Sequence, residues 1–404
     1  MIVGKKSPEI RFKGFSGEWK SFSLDEISEV LDGDRGHNYP NGEDLKEQGH
    51  TLFLSASNVT KNGFKFDVRQ YITQEKSESL GNGKLIVDDI ILTSRGSIGH
   101  IAWYNEGITK EIPFARINSG MLILRVKHSL APSVISQYLK SPKGKKKIEV
   151  ISFGSAQPQL TKASVSKFSV SIPNDRPEQA AIGNYFQKLD SLVNQHQQKH
   201  DKLSNLKTVM LEKMFPKKGK TVPEIRFKGF SGEWVSASLS KVANKYDNLR
   251  IPVTAKDRIS GNTPYYGANG IQSYIEGYTH DGEYVLLAED GANDLKNYPI
   301  HYVNGKVWVN NHAHVLKAKE MYSNLFLKYA LVSIDFEPFL VGGGRAKLNA
   351  SVMMDLEITF TENIEEQTQI GNYFQKLDTL IEQYQQQITK LNNIKQACLS
   401  KMFV

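Results

Sequence analysis

A single cysteine, Cys398, in 404 residues removes any intrachain disulfide and any cysteine-built zinc site. No run of about 18 apolar residues occurs, so no segment is expected to span a membrane. The opening Met1-Ile-Val-Gly-Lys-Lys-Ser-Pro lacks the apolar core of a secretory signal. A reducing cytoplasm is the expected compartment. The motifs of catalysis are missing too: there is no Gly-x-Ser-x-Gly elbow, HExxH helix, Gly-x-Gly-x-x-Gly loop or Asn-Pro-Pro-aromatic motif. Gly219-Lys-Thr221 imitates the end of a P-loop, but Met214 stands where that motif needs glycine, and the stretch lies in a linker. His312-Ala-His314 has no third ligand at a metal-binding spacing, so no metal is expected. These gaps weigh against an enzyme.

What is present is length, charge and repetition. At roughly 100–200 residues per domain the chain holds two or three units. Lysine and arginine number 51 against 43 acidic residues, a net +8 with a pI near 9.1. A basic balance suits a polyanion, because each neutralised phosphate releases counterions. Charge alone is a weak guide.

The repetition is stronger. Pro8-Glu-Ile-Arg-Phe-Lys-Gly-Phe-Ser-Gly-Glu-Trp19 recurs unchanged from Pro223 to Trp234, 215 residues later. Ile182-Gly-Asn-Tyr-Phe-Gln-Lys-Leu-Asp190 recurs from Ile370 to Asp378, and Lys213-Met-Phe215 as Lys401-Met-Phe403, both shifted by 188. A period of this size means a duplicated domain, not a solenoid. Between these blocks the halves hardly match, which suits one scaffold carrying two specificities.

Each half ends in a long amphipathic segment. Asp175 with Glu178, and Asn363 with Glu366, read as capping-box helix starts. One apolar stripe runs Ile182, Tyr185, Leu189, Leu192, His196, Leu203, Leu206, Met210. Its twin runs Ile370, Tyr373, Leu377, Leu380, Tyr384, Leu391, Ile394, Cys398. Steps of three and four fit a coiled-coil seam. About 40 residues at roughly 1.5 Å each make a helix of about 60 Å. The expected order is a first recognition domain over 1–174, a spacer helix over 175–215, a linker over 216–222, a second domain over 223–362 and a second spacer helix over 363–404. The fold class is α+β: two mixed domains separated by a pair of long antiparallel coiled-coil helices, with pseudo-two-fold symmetry. The amide-rich runs Asn194–His200 and Glu382–Gln387 suit a solvated face and a partner-docking face equally.

The middles read as short strands and turns, with helices near 134–139 and 325–332. A glycine-bearing loop precedes each long helix and sets Gln157 opposite Arg345 and Gln159 opposite Lys347. Arginine pairs bidentately with guanine and glutamine with adenine, so this exchange can alter which base is read. A tight turn that merely needs glycine explains the loops equally well. Arg95 follows a strand-like run, and Tyr266 and Asn269 lie in Tyr265-Tyr-Gly-Ala-Asn-Gly270. Lys145, Lys146 and Lys147 belong to a lysine cluster suited to phosphates, which position a protein without specifying sequence. A solvated helix end accounts for them nearly as well.

In this order and duplication, the chain resembles the specificity (S) subunit of a type I restriction–modification enzyme over essentially its full length. The carrying features are Pro-Glu-Ile-Arg-Phe-Lys-Gly-Phe and its repeat, Pro-Tyr-Tyr-Gly-Ala-Asn-Gly at 264–270, and Glu-Gln at 178–179 and 366–367. The resemblance implies two target-recognition domains that each read half of a bipartite, asymmetric double-stranded DNA site. It implies spacer helices that dock two methyltransferase subunits, and restriction subunits in a larger assembly. It implies no catalysis and no cofactor in this chain, with S-adenosylmethionine, ATP and Mg on the partners. The first half has Leu52-Phe-Leu-Ser-Ala-Ser-Asn58 in place of Pro-Tyr-Tyr-Gly, which points to two different half-sites.

Overall fold

A computed structural model describes residues 7–152, 159–342 and 345–404. The chain forms two compact units, Met1–His196 with Gln386–Val404 and Gln197–Gln385. The division falls inside both long helices, Arg176–Met214 and Ile364–Lys401. Each unit therefore holds the beginning of one helix and the end of the other.

In the first unit a four-stranded antiparallel sheet runs in the order Ser28–Asp32, Met121–Val126, Ile90–Thr93, Ile101–Trp103. Ile90–Thr93 is buried along its whole length, and its first three residues, Ile90, Ile91 and Leu92, are a continuous apolar run instead of an alternating one. A second sheet is centred on Thr51–Leu54, with Tyr71–Ile72 antiparallel to it and Ala115–Ile117 parallel. The second unit has one six-stranded sheet, in the order Ala243–Lys245, Ala313–Ala318, His280–Ala288, Ile300–Val309, Ser260–Gly267, Gly270–Ile275.

The first three strands of each main sheet share one register. Val126 faces Ser28 and Met121 faces Thr93 in the first unit; Ala318 faces Ala243 and Ala313 faces Ala288 in the second. Between the first and second of these strands in the chain, one unit places Thr51–Leu54 and Tyr71–Ile72 and the other the hairpin Ser260–Gly267/Gly270–Ile275. That is where the halves cease to align.

The repeated blocks surround the helix starts. Arg11 donates to both carboxylate oxygens of Glu178, each at 2.7 Å, and Arg226 to both of Glu366 at 2.5 and 2.7 Å. Both glutamates are buried. The capping boxes expected at these starts are thus incomplete: Asn363 accepts from the Glu366 amide at 3.1 Å, but the Glu366 side chain turns to arginine. Gln179 accepts from the Ala131 amide and donates to the Pro173 carbonyl; Gln367 does the same with Ser323 and Thr361. These amides satisfy backbone groups that burial would otherwise leave costly. A Cβ on Gly183 would lie 1.9 Å from Ser133 Oγ, and one on Gly371 2.7 Å from Leu325 Cβ, so glycine is needed for close helix packing at both places.

Inside each unit the helix pair is antiparallel. Asp190 meets Lys395 at 2.5 Å in the first and Lys207 meets Asp378 at 2.5 Å in the second, the same pair with donor and acceptor helices exchanged. This corrects the expected stripe at one step. Leu206 and Ile394 are exposed, while the adjacent Lys207 and Lys395 turn inward to the aspartates. The helix ends are exchanged as well. Phe403 packs with Trp19, Tyr138 and Phe186 in the first unit, and Phe215 with Trp234, Phe326 and Phe374 in the second.

Candidate nucleic-acid interface

In the second unit three separated segments converge where the strand His280–Ala288 ends. The Glu289 amide donates to His312 O at 2.9 Å, the Leu348 amide to Glu289 O at 2.7 Å, and the Gly291 amide to Ala346 O at 3.2 Å. This backbone lacing brings the Asp290, His312 and Arg345 side chains together. Arg345 Nη2 lies 3.1 Å from Asp290 Oδ1 and 3.3 Å from His312 Nδ1, and His312 Nδ1 also bonds Asp290 Oδ1. Burial pushes the Asp290 carboxyl up, but His312 and Arg345 outweigh it and hold the group below the usual carboxylate value. Lys347 reaches Glu289 Oε1 at 3.3 Å, and both Arg345 and Lys347 are exposed.

Asn269 sits on the turn between Ser260–Gly267 and Gly270–Ile275. Its Nδ2 donates to Gly291 O at 2.9 Å and its Oδ1 accepts from the Asn293 amide at 2.9 Å. It therefore braces the segment that carries Asp290. Tyr266 is half-buried, 6.0 Å from the His301 ring, and packs with the Tyr284 and Val309 cluster. Its ring is held within the sheet, away from the Arg345 group's contacts.

Behind this edge lies an ion network. Arg250 touches Glu289 Oε2 at 2.7 Å and Asp247 Oδ2 at 3.4 Å, and buried His314 bonds Asp247 at 2.7 Å and Leu348 O at 3.0 Å. Burial raises the Asp247 carboxyl, yet His314, the Val315 amide and Arg250 together bring it below normal. Asp247, Glu289 and His314 have the composition of a metal site that sequence spacing does not reveal. The Arg250 guanidinium lies against both carboxylates.

The first unit repeats the lacing with other side chains. The Ser94 amide donates to Gly120 O at 2.8 Å and the Leu160 amide to Ser94 O at 2.9 Å. By this register Arg95 stands where Asp290 stands, and Gly120 where His312 stands. Arg95 is exposed, and half-buried Gln159 precedes Leu160, whose amide is bonded to Ser94 O; Gln157 lies outside the described residues. Ile148 of the helix Pro142–Ile151 closes on Gly99, whose Cβ would come within 3.1 Å of it and whose φ is +79°. That helix carries the lysine cluster. Lys145 and Lys146 are exposed, whereas Lys147 donates to Tyr138 OH and Ser169 O at 2.8 Å each. The second unit has a short 3-10 turn, Glu337–Phe339, after its matching helix Asn324–Val332, with Asp335 and Glu337 in place of lysines.

The structure thus groups Arg345, Lys347 and Asn269 on one edge, and Arg95 with Gln159 on its counterpart. Sequence reasoning weighed His312 only as a metal ligand and did not single out Asp290, which the structure brings beside Arg345. His312 and His314 are two residues apart and would share a strand face, but His312 precedes the strand Ala313–Ala318 whereas His314 is buried within it.

Comparison with known proteins agrees with this arrangement. The family described as the type I restriction modification DNA specificity domain matches twice, over residues 16–205 and 231–393. A putative type I restriction enzyme specificity subunit from Haemophilus influenzae is 48% identical over 142 residues, which are 35% of this chain and 36% of that one. The EcoprrI specificity subunit from Escherichia coli is 24% identical over 135 residues, 33% of this chain and 32% of that one. The chain therefore aligns with about a third of the length of these relatives. The S subunit of a type I restriction-modification system from M. genitalium shares the fold, with a TM-score of 0.69, 15% identity and coverage of 98% of this chain and 99% of that one. With a duplicated framework, two unlike edges and a family match over most of its length, the chain belongs to the type I restriction–modification DNA specificity family.

Proposed function

We propose that the protein is a non-catalytic DNA-reading subunit that recognises a bipartite, asymmetric double-stranded site, one half with each unit. The observation that carries this reading is the pair of equivalent strand-end edges, built on one backbone register and furnished with different exposed side chains. Base edges are distinguished by side-chain hydrogen bonding in the groove, so two unlike edges read two unlike half-sites. Arg95, Gln157 and Gln159 serve the first, and Arg345 and Lys347 the second, with Asn269 as a brace and Tyr266 as sheet support. Lys145 and Lys146, with Lys147 more firmly tethered, serve phosphates.

The reading extends to partners. The two helix pairs dock two methyltransferase subunits, restriction subunits join the larger complex, and S-adenosylmethionine, ATP and Mg are bound by those partners in the cytoplasm. Among the described residues no helix is long and apolar enough to cross a membrane. The test is to purify the full chain with its methyltransferase partner, measure duplex binding, and map methylated adenines in cells with and without this gene. A two-part motif with a fixed spacer, present only with the gene, is expected. Methylation or cleavage by the isolated chain, or a complex that binds all duplexes alike, contradicts the proposal.

A further inference from the structure

We propose that positions 290, 312 and 345 form the base-selecting set of the second unit, in which Arg345 reads a guanine and Asp290 is the positioning residue that aims it. This rests on the DNA-reading function proposed above. Three observations lead to it.

First, the set is assembled by backbone lacing that the first unit also has, so its place belongs to the framework while its chemistry does not. The equivalent positions hold Arg95 and Gly120 in the first unit and Asp290 and His312 in the second. Second, Asp290 engages one corner of the guanidinium. Arg345 donates through Nη2 to Asp290 Oδ1, His312 Nδ1 donates to the same oxygen and so lies 3.3 Å from Nη2 without accepting from it, and among the described residues no bond engages Nη1. A guanidinium held at one corner keeps a rigid fork for the O6 and N7 acceptors of guanine, and its loss of rotamer freedom is met before DNA arrives. Third, the carrier of Asp290 is itself fastened, by Asn269 to Gly291 O and the Asn293 amide on one side and by Ala346 O on the other. A merely solvated arginine needs none of this support.

His312 completes the set. It shares the Asp290 oxygen with Arg345 and stands at the strand mouth, so it limits where the guanidinium can swing. The first unit, with glycine there and an arginine in the aspartate's place, has no such guide and must present its arginine differently.

The experiment uses the full chain assembled with its methyltransferase partner, as wild type and as Arg345→Lys, Asp290→Asn and Asp290→Glu. Methylated motifs are read across a genome, and affinities are measured on cognate duplexes, duplexes changed at one base pair, and scrambled duplexes. Arg345→Lys should relax one base pair of one half-site from guanine and weaken cognate binding by roughly 5- to 150-fold, the worth of one bidentate contact. Scrambled DNA and the other half-site should be unaffected. Asp290→Asn should relax the same base pair, and Asp290→Glu should restore part of the preference, as expected for a residue acting through Arg345. Arg345 is 62% exposed at its side chain, so its replacement leaves folding intact.

If Arg345→Lys and Asp290→Asn keep the wild-type motif, or lose cognate and scrambled DNA equally, the inference is overturned while the wider function stands. If the wild-type complex itself has no motif, both fall together.

Discussion

Arg226 meets Glu366 as Arg11 meets Glu178, down to the bidentate geometry, yet the strand-end edges carry Asp290 and His312 in one unit and Arg95 and Gly120 in the other. At the helix starts Arg11, Glu178 and Gln179 recur as Arg226, Glu366 and Gln367, because each answers a partner packed against it. At the edges the bonds that both units share run through the backbone, so the side chains there can differ between the units. Identity and divergence within the chain thus follow local constraint, not distance along the sequence.

The sharpest way to break this comparison is to remove one arginine from the frame. Arg226→Ala strands a buried Glu366 carboxylate and should cost about 3–5 kcal/mol in urea unfolding. The paired change Arg226→Met with Glu366→Met should recover most of it; an equal loss in the double variant would show that the ion pair is not the cause. Gly371→Ala comes next, at about 1–3 kcal/mol, because its methyl meets Leu325 Cβ and the Phe326 amide. Wild-type stability in that variant would mean the helix shifts freely.

The second unit also carries buried histidines. Burial holds the His280 and His301 imidazoles below their usual pKa, so both resist protonation in the fold. The unfolded chain then binds more protons, and stability should fall as pH drops through about 6.5 toward the lower folded values. Urea midpoints at pH 7.5 and 5.5 should diverge less for His280→Gln than for wild type. The smallest effect on stability belongs to the lysine helix. Lys145→Ala with Lys146→Ala should leave the unfolding midpoint within about 0.5 kcal/mol of wild type. It should weaken binding to cognate and scrambled DNA alike and flatten the salt dependence. Lys147→Ala should add a stability loss, since it breaks bonds to Tyr138 and Ser169.

Much of this was readable from residues. The duplicated Pro-Glu-Ile-Arg-Phe block, the two long helices and the mixed middles all follow from repetition and periodicity. What escaped was set by partners remote in the chain. Nothing beside Lys207 announces that Asp378 waits for it, so the apolar Leu206 looked like the inward residue. Glu178 and Glu366 satisfied a local capping pattern while their side chains served arginines 167 and 140 residues away. At the candidate edge, Arg345 and Lys347 stand out by residue type. Asp290 and His312 do not, because strand pairing alone brings them together.

The exchange of helix ends has a consequence for biogenesis. Phe403 and Met402 fill the same apolar cluster as Trp19, although almost the whole chain is synthesised between them. A nascent polypeptide can build the Gln197–Gln385 body as soon as its own residues emerge, but the body begun first must wait with an open hollow until the final turns of the second helix arrive. Ribosomal stalling in that helix would release a product with one finished half and one sticky one, a ready target for chaperones and proteases.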